Sequence, residues 1–382
     1  VFHSFSVVAP LANLVVVPIA GMAFVPLALA GALGQALTGE FVTAPLVEPV
    51  ARATLYLTDI FARIPYAEVP VRGFPPGVLA LYYLAVVGAW ALRRRVLLAG
   101  AALPVLIVAA MQVWGGGGLS ITFLDAGQAD AIVAELPDGR VMVVDTGVSG
   151  REVEAYLKYL GRRRIDALVL THGHADHVGG LARLAGRFDV REVWDTGRLS
   201  YAPGVIPEGA VRRSLGRGDT VSGEGYEIAV LHPYEGFLSP VERGDDGVNN
   251  ESMVMKISAG GGAALLTGDI EVDAIEDMLA LGPALRARVL KAPHHGRNSL
   301  GIGRLFEAVR PEFTVVTGGG ASGAVREAAR GGAIFETSRE GAVRVDMRGD
   351  GVRVRRYADY ALIVAGSARD EAGNFSRLFR YW

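Results

Sequence analysis

The 382-residue chain is 51% hydrophobic and 20% charged, with a formal net charge of -2, which excludes a disordered polymer and a globally basic nucleic-acid-coating protein. Its mean hydropathy of +0.31 is high for a wholly soluble enzyme and points to a membrane portion. The chain has no cysteine, so disulfides, thiolate zinc sites, iron–sulfur clusters and cysteine nucleophiles are excluded, and any metal site must use His, Asp, Glu or Asn.

The length suggests about two or three domains. The chain opens Val1-Phe2-His3, with neither a Met nor a secretory pattern, and is expected to be a fragment or a processed chain. Residues 5–37 are nearly uncharged and long enough to span a bilayer, but carry Pro10, Pro18 and Pro26, which predicts a kinked or broken helix. Residues 41–64 hold Glu48, Arg52, Asp59 and Arg63, several on one helical face, and read as an amphipathic helix at the membrane surface or in a bundle. A proline-rich loop comes next, through Pro65, Pro70, Pro75 and Pro76. Residues 78–92 and 96–114 are apolar and split by Arg93, Arg94 and Arg95. Three arginines at a bilayer midplane would be costly, so a membrane-crossing hairpin with a cytoplasmic basic turn is expected. The chain beyond that hairpin would then lie on the extracytoplasmic side.

Residues 1–114 thus read as membrane helices and the four glycines 115–118 as a linker. Beyond it, residues 119–124, 131–136 and 141–144 are expected as short strands, with a hairpin turn at Pro137-Asp138-Gly139. Residues 151–160 have helical periodicity, and 165–170 form a buried strand. Further strands are expected at 193–195, 227–231, 252–257, 263–267, 289–291 and 313–317. Helices are expected from 179, over 272–281 and over 303–309. This order favours a layered α/β or α+β fold.

The strongest chemical feature is His172-x-His174-x-Asp176-His177, at the end of the buried strand. Alternation lets His172 and His174 point one way, and the turn after them carries Asp176 and His177 to a neighbouring point. Such a set suits two divalent ions; N and O donors fit Zn, Mn or Fe. Only four of the 7 His lie elsewhere, which argues against chance. Asp269 ends a hydrophobic strand, where a bridging carboxylate or a helix N-cap would sit; beside the histidine motif, the ligand role is preferred. His294 and His295 end another strand, and either completes the second metal.

These segments resemble the metallo-β-lactamase fold, an αββα sandwich with metals at one edge of its sheets. The resemblance extends to the C-terminal part of ComEC-type competence proteins, the inner-membrane channels for DNA uptake in natural transformation. It is carried by residues 123–131 (FLDAGQADA), 144–147 (VDTG), 171–180 (THGHADHVGG), 249–252 (NNES) and 293–299 (PHHGRNS), below an apolar region. It covers about 119–357, residues 4–18 resemble the end of the membrane domain, and 358–382 remains unassigned. The resemblance implies two divalent ions, Zn or Mn: His172 and His174 on one; Asp176, His177 and His294 on the other; Asp269 bridging; and His295 as the alternative to His294. The further histidine of the wider fold is missing; Asn249, Asn250 and Ser252 occupy its region, which should weaken the first metal. His232 reads as a structural strand-end residue.

The expected nucleophile is a water whose pKa a metal lowers toward neutrality. Asp176 would bind metal and orient or deprotonate that water, and His295 or metal-bound water would protonate the leaving oxygen. Asn250, Arg297, Asn298 and Ser299 are candidates for binding phosphate, with turn roles competing for Asn298 and Ser299. Asp125, Gln128 and Asp130 are assigned to turn chemistry, and Asp145-Thr146-Gly147 to a helix cap or the floor of the site. Lys291 and the arginines 212, 213 and 217, placed in a loop, are the cations expected to meet DNA. Residues 162–164 lie at the wrong end of their strand for that, and the alternating arginines of 353–356 suggest an exposed edge strand.

The leading expectation is a multi-pass inner-membrane protein whose extracytoplasmic metallo-hydrolase domain degrades the DNA strand that is not imported. Its expected partners are DNA, single-stranded by preference, the membrane and other DNA-uptake proteins. Two alternatives are a metallo-hydrolase of another substrate, since fold does not fix chemistry, and a DNA-guiding module with weak or no catalysis.

Overall fold

A computed structural model of the chain describes residues 4–6, 8–62, 68–70, 84, 87, 117–238, 247–349 and 351–356. Apart from residues 84 and 87, the expected hairpin of residues 78–92 and 96–114, its arginine turn, half the glycine linker and the tail 358–382 lie outside the described residues, which fall into two units.

In the N-terminal unit, β1 (Ser4–Ser6) pairs antiparallel with β2 (Glu68–Pro70), so Pro70 ends a short strand rather than lying in an irregular loop. Helix α1 (Ala9–Ile19), a π-helical turn over Ala20–Phe24 and α2 (Val25–Thr38) succeed one another without a break. Pro10 and Pro26 occupy first-turn positions, where a missing N–H costs nothing. Pro18 lies inside α1 and is followed by the π turn, which absorbs the lost register. The expected break is therefore a wider helical turn. Leu11–Thr38 is one helix long and apolar enough to cross a membrane, with mean hydropathy 2.3, and its Leu14, Met22, Leu29 and Leu37 are exposed. Gly39, at φ +80°, ends it in the left-handed conformation that glycine adopts without strain. Then α3 (Ala44–Ala62) carries Glu48 and Arg52 one turn apart, paired at 2.6 Å.

The C-terminal unit repeats one plan twice. β3 (Leu119–Phe123), β4 (Ala131–Glu135) and β5 (Val141–Thr146) form an antiparallel meander. Helix α4 (Arg151–Tyr159), strand β6 (Arg164–Val169), short helices α5 (Ala175–Val178) and α6 (Leu181–Ala185), and strands β7 (Asp189–Asp195) and β8 (Val211–Ser214) come next, with β5 to β8 parallel. The second half has β9 (Thr220–Gly223), β10 (Tyr226–His232), α7 (Gly247–Asn250), β11 (Val254–Ala259) and β12 (Gly262–Leu266), its strands antiparallel. Helix α8 (Val272–Leu279), β13 (Val289–Lys291), α9 (Ile302–Val309), β14 (Phe313–Val316), α10 (Gly323–Ala328) and β15 (Ala333–Glu336) continue it, with β12 to β15 parallel. The short α11 (Thr337–Glu340) returns the chain to β16 (Val343–Arg348) and β17 (Gly351–Arg356), which join the first sheet beside β3.

The first sheet has order β17-β16-β3-β4-β5-β6-β7-β8 and the second β15-β14-β13-β12-β11-β10-β9. Ile121, Phe123, Ile132, Met142 and Val169 of the first meet Ile228, Met255, Ile257 and Leu266 of the second in one core. Each such side chain contributes roughly 1.5–3 kcal/mol of burial. On the second sheet's other face, Leu265 and Leu290 pack with Ile275 and Met278 of α8 and Leu305 and Phe306 of α9. This is the αββα sandwich expected from the sequence. β8, read as a loop, is an edge strand whose arginines interrupt apolar alternation, and β17 is the arginine-bearing edge anticipated.

Candidate metal centre

The C-terminal ends of β6, β12 and β13 converge on one edge of the sandwich. Past β6, Asp145 fixes the chain: its carboxylate accepts the Thr171 N–H at 2.9 Å and the Thr171 hydroxyl at 2.7 Å. His174 precedes α5, whose first turn carries Asp176 and His177. Two glycines then let this turn press against the loop after β5. A Cβ on Gly180 would stand 2.4 Å from the Gly150 backbone, and one on Gly179 2.4 Å from Val148 O.

Asp176, His177, Asp269 and His295 each offer one donor atom, all within 4.8 Å of one another. His177 Nε2 lies 3.3 Å from Asp269 Oδ2 and 3.8 Å from Asp176 Oδ2; His295 Nε2 lies 3.1 and 3.4 Å from the same two oxygens. Four ligands about 2.1 Å from a tetrahedral ion stand roughly 3.4 Å apart, and these edges bracket that value. Both Nε2 atoms are buried with no hydrogen-bond partner. A pair of imidazoles that converge on two carboxylates without hydrogen-bond alignment is what an ion between them requires, so the residues fit a divalent metal. Among the described residues one other trio, Asp130, Asp145 and His177, lies as close. It is already charge-paired, because His177 Nδ1 donates to Asp145 at 2.7 Å and Lys291 sits 2.5 Å from Asp130.

Each donor imidazole is held by its other nitrogen. Asp145 takes His177 Nδ1; Asp130, 3.4 Å away, and the Thr317 hydroxyl, at 3.2 Å, face His295 Nδ1. Such partners fix ring orientation and donor basicity. Burial disfavours protonation of His177 and His295, but the carboxylates prevail: Asp145 above all lifts His177 to about 10, and Asp130 lifts His295 to about 11. Burial likewise opposes ionisation of Asp269, yet Lys291 holds it well below the usual carboxylate range. The half-buried Asp176 is lowered chiefly by its contact with His295.

His172 Nε2 and His174 Nδ1 lie 3.2 Å apart beside this group. The Thr171 hydroxyl proton is committed to Asp145, so the Thr171 oxygen accepts from His172 Nδ1 at 3.1 Å, and the His172 Nε2 lone pair faces the site. Burial and the neighbouring His177 hold His172 near 3, so it stays neutral. A cleft of about 390 Å³ opens on this pair, lined also by Arg198, Ser200, Tyr201 and Glu251. Arg198 is fixed there by Glu251 at 2.7 Å and by Phe237 O at 2.6 Å.

Several sequence expectations are corrected. His295, and not His294, completes the four-donor group; His294 Nδ1 faces Glu271 at 2.7 Å, and its Nε2 is 4.0 Å from Asp269. With its Nε2 among the donors, His295 is not placed to protonate a leaving group. Asn250 is buried, and its Oδ1 accepts the N–H groups of Glu271 and Ala274, capping α8 rather than facing substrate. Arg297, Asn298 and Ser299 lie in a turn, where Arg297 Nη1 is 3.3 Å from His294 and the Ser299 hydroxyl donates to Leu300 O. Lys291 is fully buried and offers no surface charge. Arg212 is bound by both oxygens of Asp195, Arg213 by Glu192 and Arg217 by Asp277, so these cations are committed to neighbouring acids. Asp130 is a buried support of His295, not a turn residue. Gln128 Oε1 accepts the Gly319 N–H at 2.9 Å. His232 is buried with Nε2 on Asn250 O at 2.7 Å, away from the donor group. The sequence reading missed Arg198, although it lies just past the C-terminal end of β7, where ligands of α/β sheets gather.

A family model described as metallo-beta-lactamase superfamily matches residues 124–318, and one described as competence protein matches residues 1–96. Competence protein ComA of Neisseria gonorrhoeae is 28% identical over 332 residues, which cover 84% of this chain and 44% of the relative. ComE operon protein 3 of Bacillus subtilis is 24% identical over 359 residues, covering 83% and 44%. The chain spans less than half the length of these curated relatives. A hydroxyacylglutathione hydrolase of Xanthomonas campestris is 38% identical over 101 residues, 26% of this chain and 35% of the relative. Among solved structures, the metallo-beta-lactamase fold protein YhfI from Bacillus subtilis has 13% identity and a TM-score of 0.41, covering 62% of this chain and 100% of that one.

Proposed function

We propose, from the premise that this chain belongs to the metallo-β-lactamase superfamily and joins that domain to a competence-protein segment, that it is a membrane-associated, metal-dependent hydrolase of DNA phosphodiesters. The observation that carries the hydrolase reading is the convergence of His177 and His295 Nε2 on Asp176 and Asp269 at 3.1–3.8 Å. DNA enters as substrate through the competence segment and the relatives named as competence proteins. The strand cleaved would be the one not imported, with other DNA-uptake proteins as partners. The chain would sit in the bacterial inner membrane in several passes, with the hydrolase domain on its extracytoplasmic side.

Asp176 Oδ2, His177 Nε2, Asp269 Oδ2 and His295 Nε2 would hold the ion, Zn or Mn. A divalent ion there supplies Lewis acidity and brings the pKa of water toward neutrality. Asp145 and Asp130 keep the two imidazoles aimed. Asp176 is the most exposed of the four donors and is held ionised, so its carboxylate is the group to orient the attacking water and accept its proton. Neutral His172, with His174 beside it, flanks the cleft, and Arg198 would face the phosphate there, braced by Glu251. Excluding bulk water strengthens each of these contacts.

The test uses the full chain in detergent, loaded separately with Mn and Zn and offered single- and double-stranded DNA. Metal-dependent cleavage that disappears in an Asp176→Ala, His177→Ala double variant is the expected outcome. Intact DNA at full metal occupancy would overturn the nuclease reading and favour a DNA-guiding module or another ester substrate. For orientation, a phosphatase reporter fused after Trp114 should be active outside the cytoplasm.

A further inference from the structure

We infer that this centre holds one divalent ion, and that the ammonium of Lys291 is its permanent companion cation, seated on the Asp269 oxygen that a bridge through both carboxylate oxygens would need. The inference rests on the metal-site reading above and deepens it.

Lys291 is the last residue of β13 and is fully buried. Its Nζ lies 2.5 Å from Asp130 Oδ2, 3.1 Å from Asp269 Oδ1 and 2.7 Å from Gly268 O. Two hydrogen bonds, to Gly268 O and Asp269 Oδ1, and an ion pair with Asp130 hold the ammonium, and a charge so deep in a protein persists only when it is paired in this way. The two oxygens of Asp269 are thereby divided. Oδ1 belongs to Lys291, while Oδ2 faces His177 and His295. A carboxylate that gives one oxygen to each of two ions needs both, and here only Oδ2 is left.

The other half of a two-ion site is also short of donors. His172 and His174 stand together, but among the described residues no third His, Asp or Glu completes a group with them. Ser252 Oγ lies at His172 Nδ1, 3.2 Å away, on the side of the ring opposite the site. Asn250 is spent on the α8 cap. Lys291 thus supplies the second positive charge that the buried carboxylates need, without a second ion.

The full chain in detergent would be stripped with chelator, reloaded with Mn²⁺ alone and freed of excess metal by gel filtration. Bound metal is then measured by mass spectrometry, and its environment by electron paramagnetic resonance. The expected result is about one ion per chain with an uncoupled manganese signal. That ion should remain in a His172→Ala, His174→Ala double variant and be lost in an Asp176→Ala, His295→Ala one. Lys291→Met, which frees Asp269 Oδ1 and Asp130, should raise the content toward about two. Two exchange-coupled ions in the wild-type chain would overturn the inference while leaving the metal-site reading intact. So would a single ion that depends on His172 and His174. No bound ion at all would overturn both. A folded Lys291→Met chain that still takes one ion would remove Lys291 from the account. Should that variant not fold, the wild-type content and the two double variants decide the question.

Discussion

Asp145, in the left-handed region at φ +57°, accepts a hydrogen bond from His177 Nδ1 at 2.7 Å while the same carboxylate holds Thr171 by its N–H and its hydroxyl. One side chain at the end of β5 therefore sets both the exit of the chain from β6 and the aim of a donor imidazole. Asp145→Asn keeps the size and loses the charge that makes His177 a strong donor. Its metal affinity should fall about 10–100-fold, measured by calorimetric titration with Zn, with a smaller effect on folding.

The pH dependence of metal uptake is set by His177, lifted to about 10, and His295, lifted to about 11. Across neutral pH an incoming ion must displace a proton from each. Apparent affinity should rise about tenfold per displaced proton for every pH unit, flattening as pH passes through those values. Calorimetry in buffers of different ionisation enthalpy should count about two protons released. For the metal-stripped chain the sign reverses. Both imidazoles bind protons more tightly folded than unfolded, so their stabilisation is fully present below about 6.5 and is lost as pH rises through 10 to 11. Thermal unfolding in chelator should show that decline.

Arg198 and Arg297 separate the cleft from the turn. Arg198 lines the cleft beside His172, whereas Arg297 reaches only His294. Arg198→Ala should raise KM for DNA about tenfold and flatten its salt dependence by about one phosphate contact. Arg297→Ala should change KM by less than half that factor. Steady-state cleavage at two salt concentrations distinguishes them.

Asn250 supplies α8 with a cap from a distant segment. Asn250→Ala leaves the Glu271 and Ala274 N–H groups without their acceptor, which should cost about 1–2 kcal/mol of stability. Denaturant unfolding reads this directly, and the metal content should not change.

The legible parts of the site were those where chemistry and strand ends coincide in a short stretch. His172, His174, Asp176 and His177 come after β6, and Asp269 after β12, so hydrophobic runs ending in donors announced them. The choice between His294 and His295 was not legible. Both adopt positive φ, +46° and +52°, a strained pair whose aim is set by Glu271 and Asp130 from elsewhere in the fold. Lys291 looked like a surface cation, because only the packed sandwich brings Asp130 to it. Asn250 looked like a phosphate contact, because its role depends on a helix many residues away. The arginines of β8 hid an edge strand, since an edge tolerates the charges that a central strand excludes.

The four donors come in equal numbers from the two sheets: Asp176 and His177 lie past β6 of the first, Asp269 and His295 past β12 and β13 of the second. An ion bound to all four is a cross-link between halves that cannot close until both sheets have docked. In a chain with no cysteine, it is the removable counterpart of a disulfide. Any condition that withdraws the metal would loosen the seam of the sandwich as well as silence its chemistry.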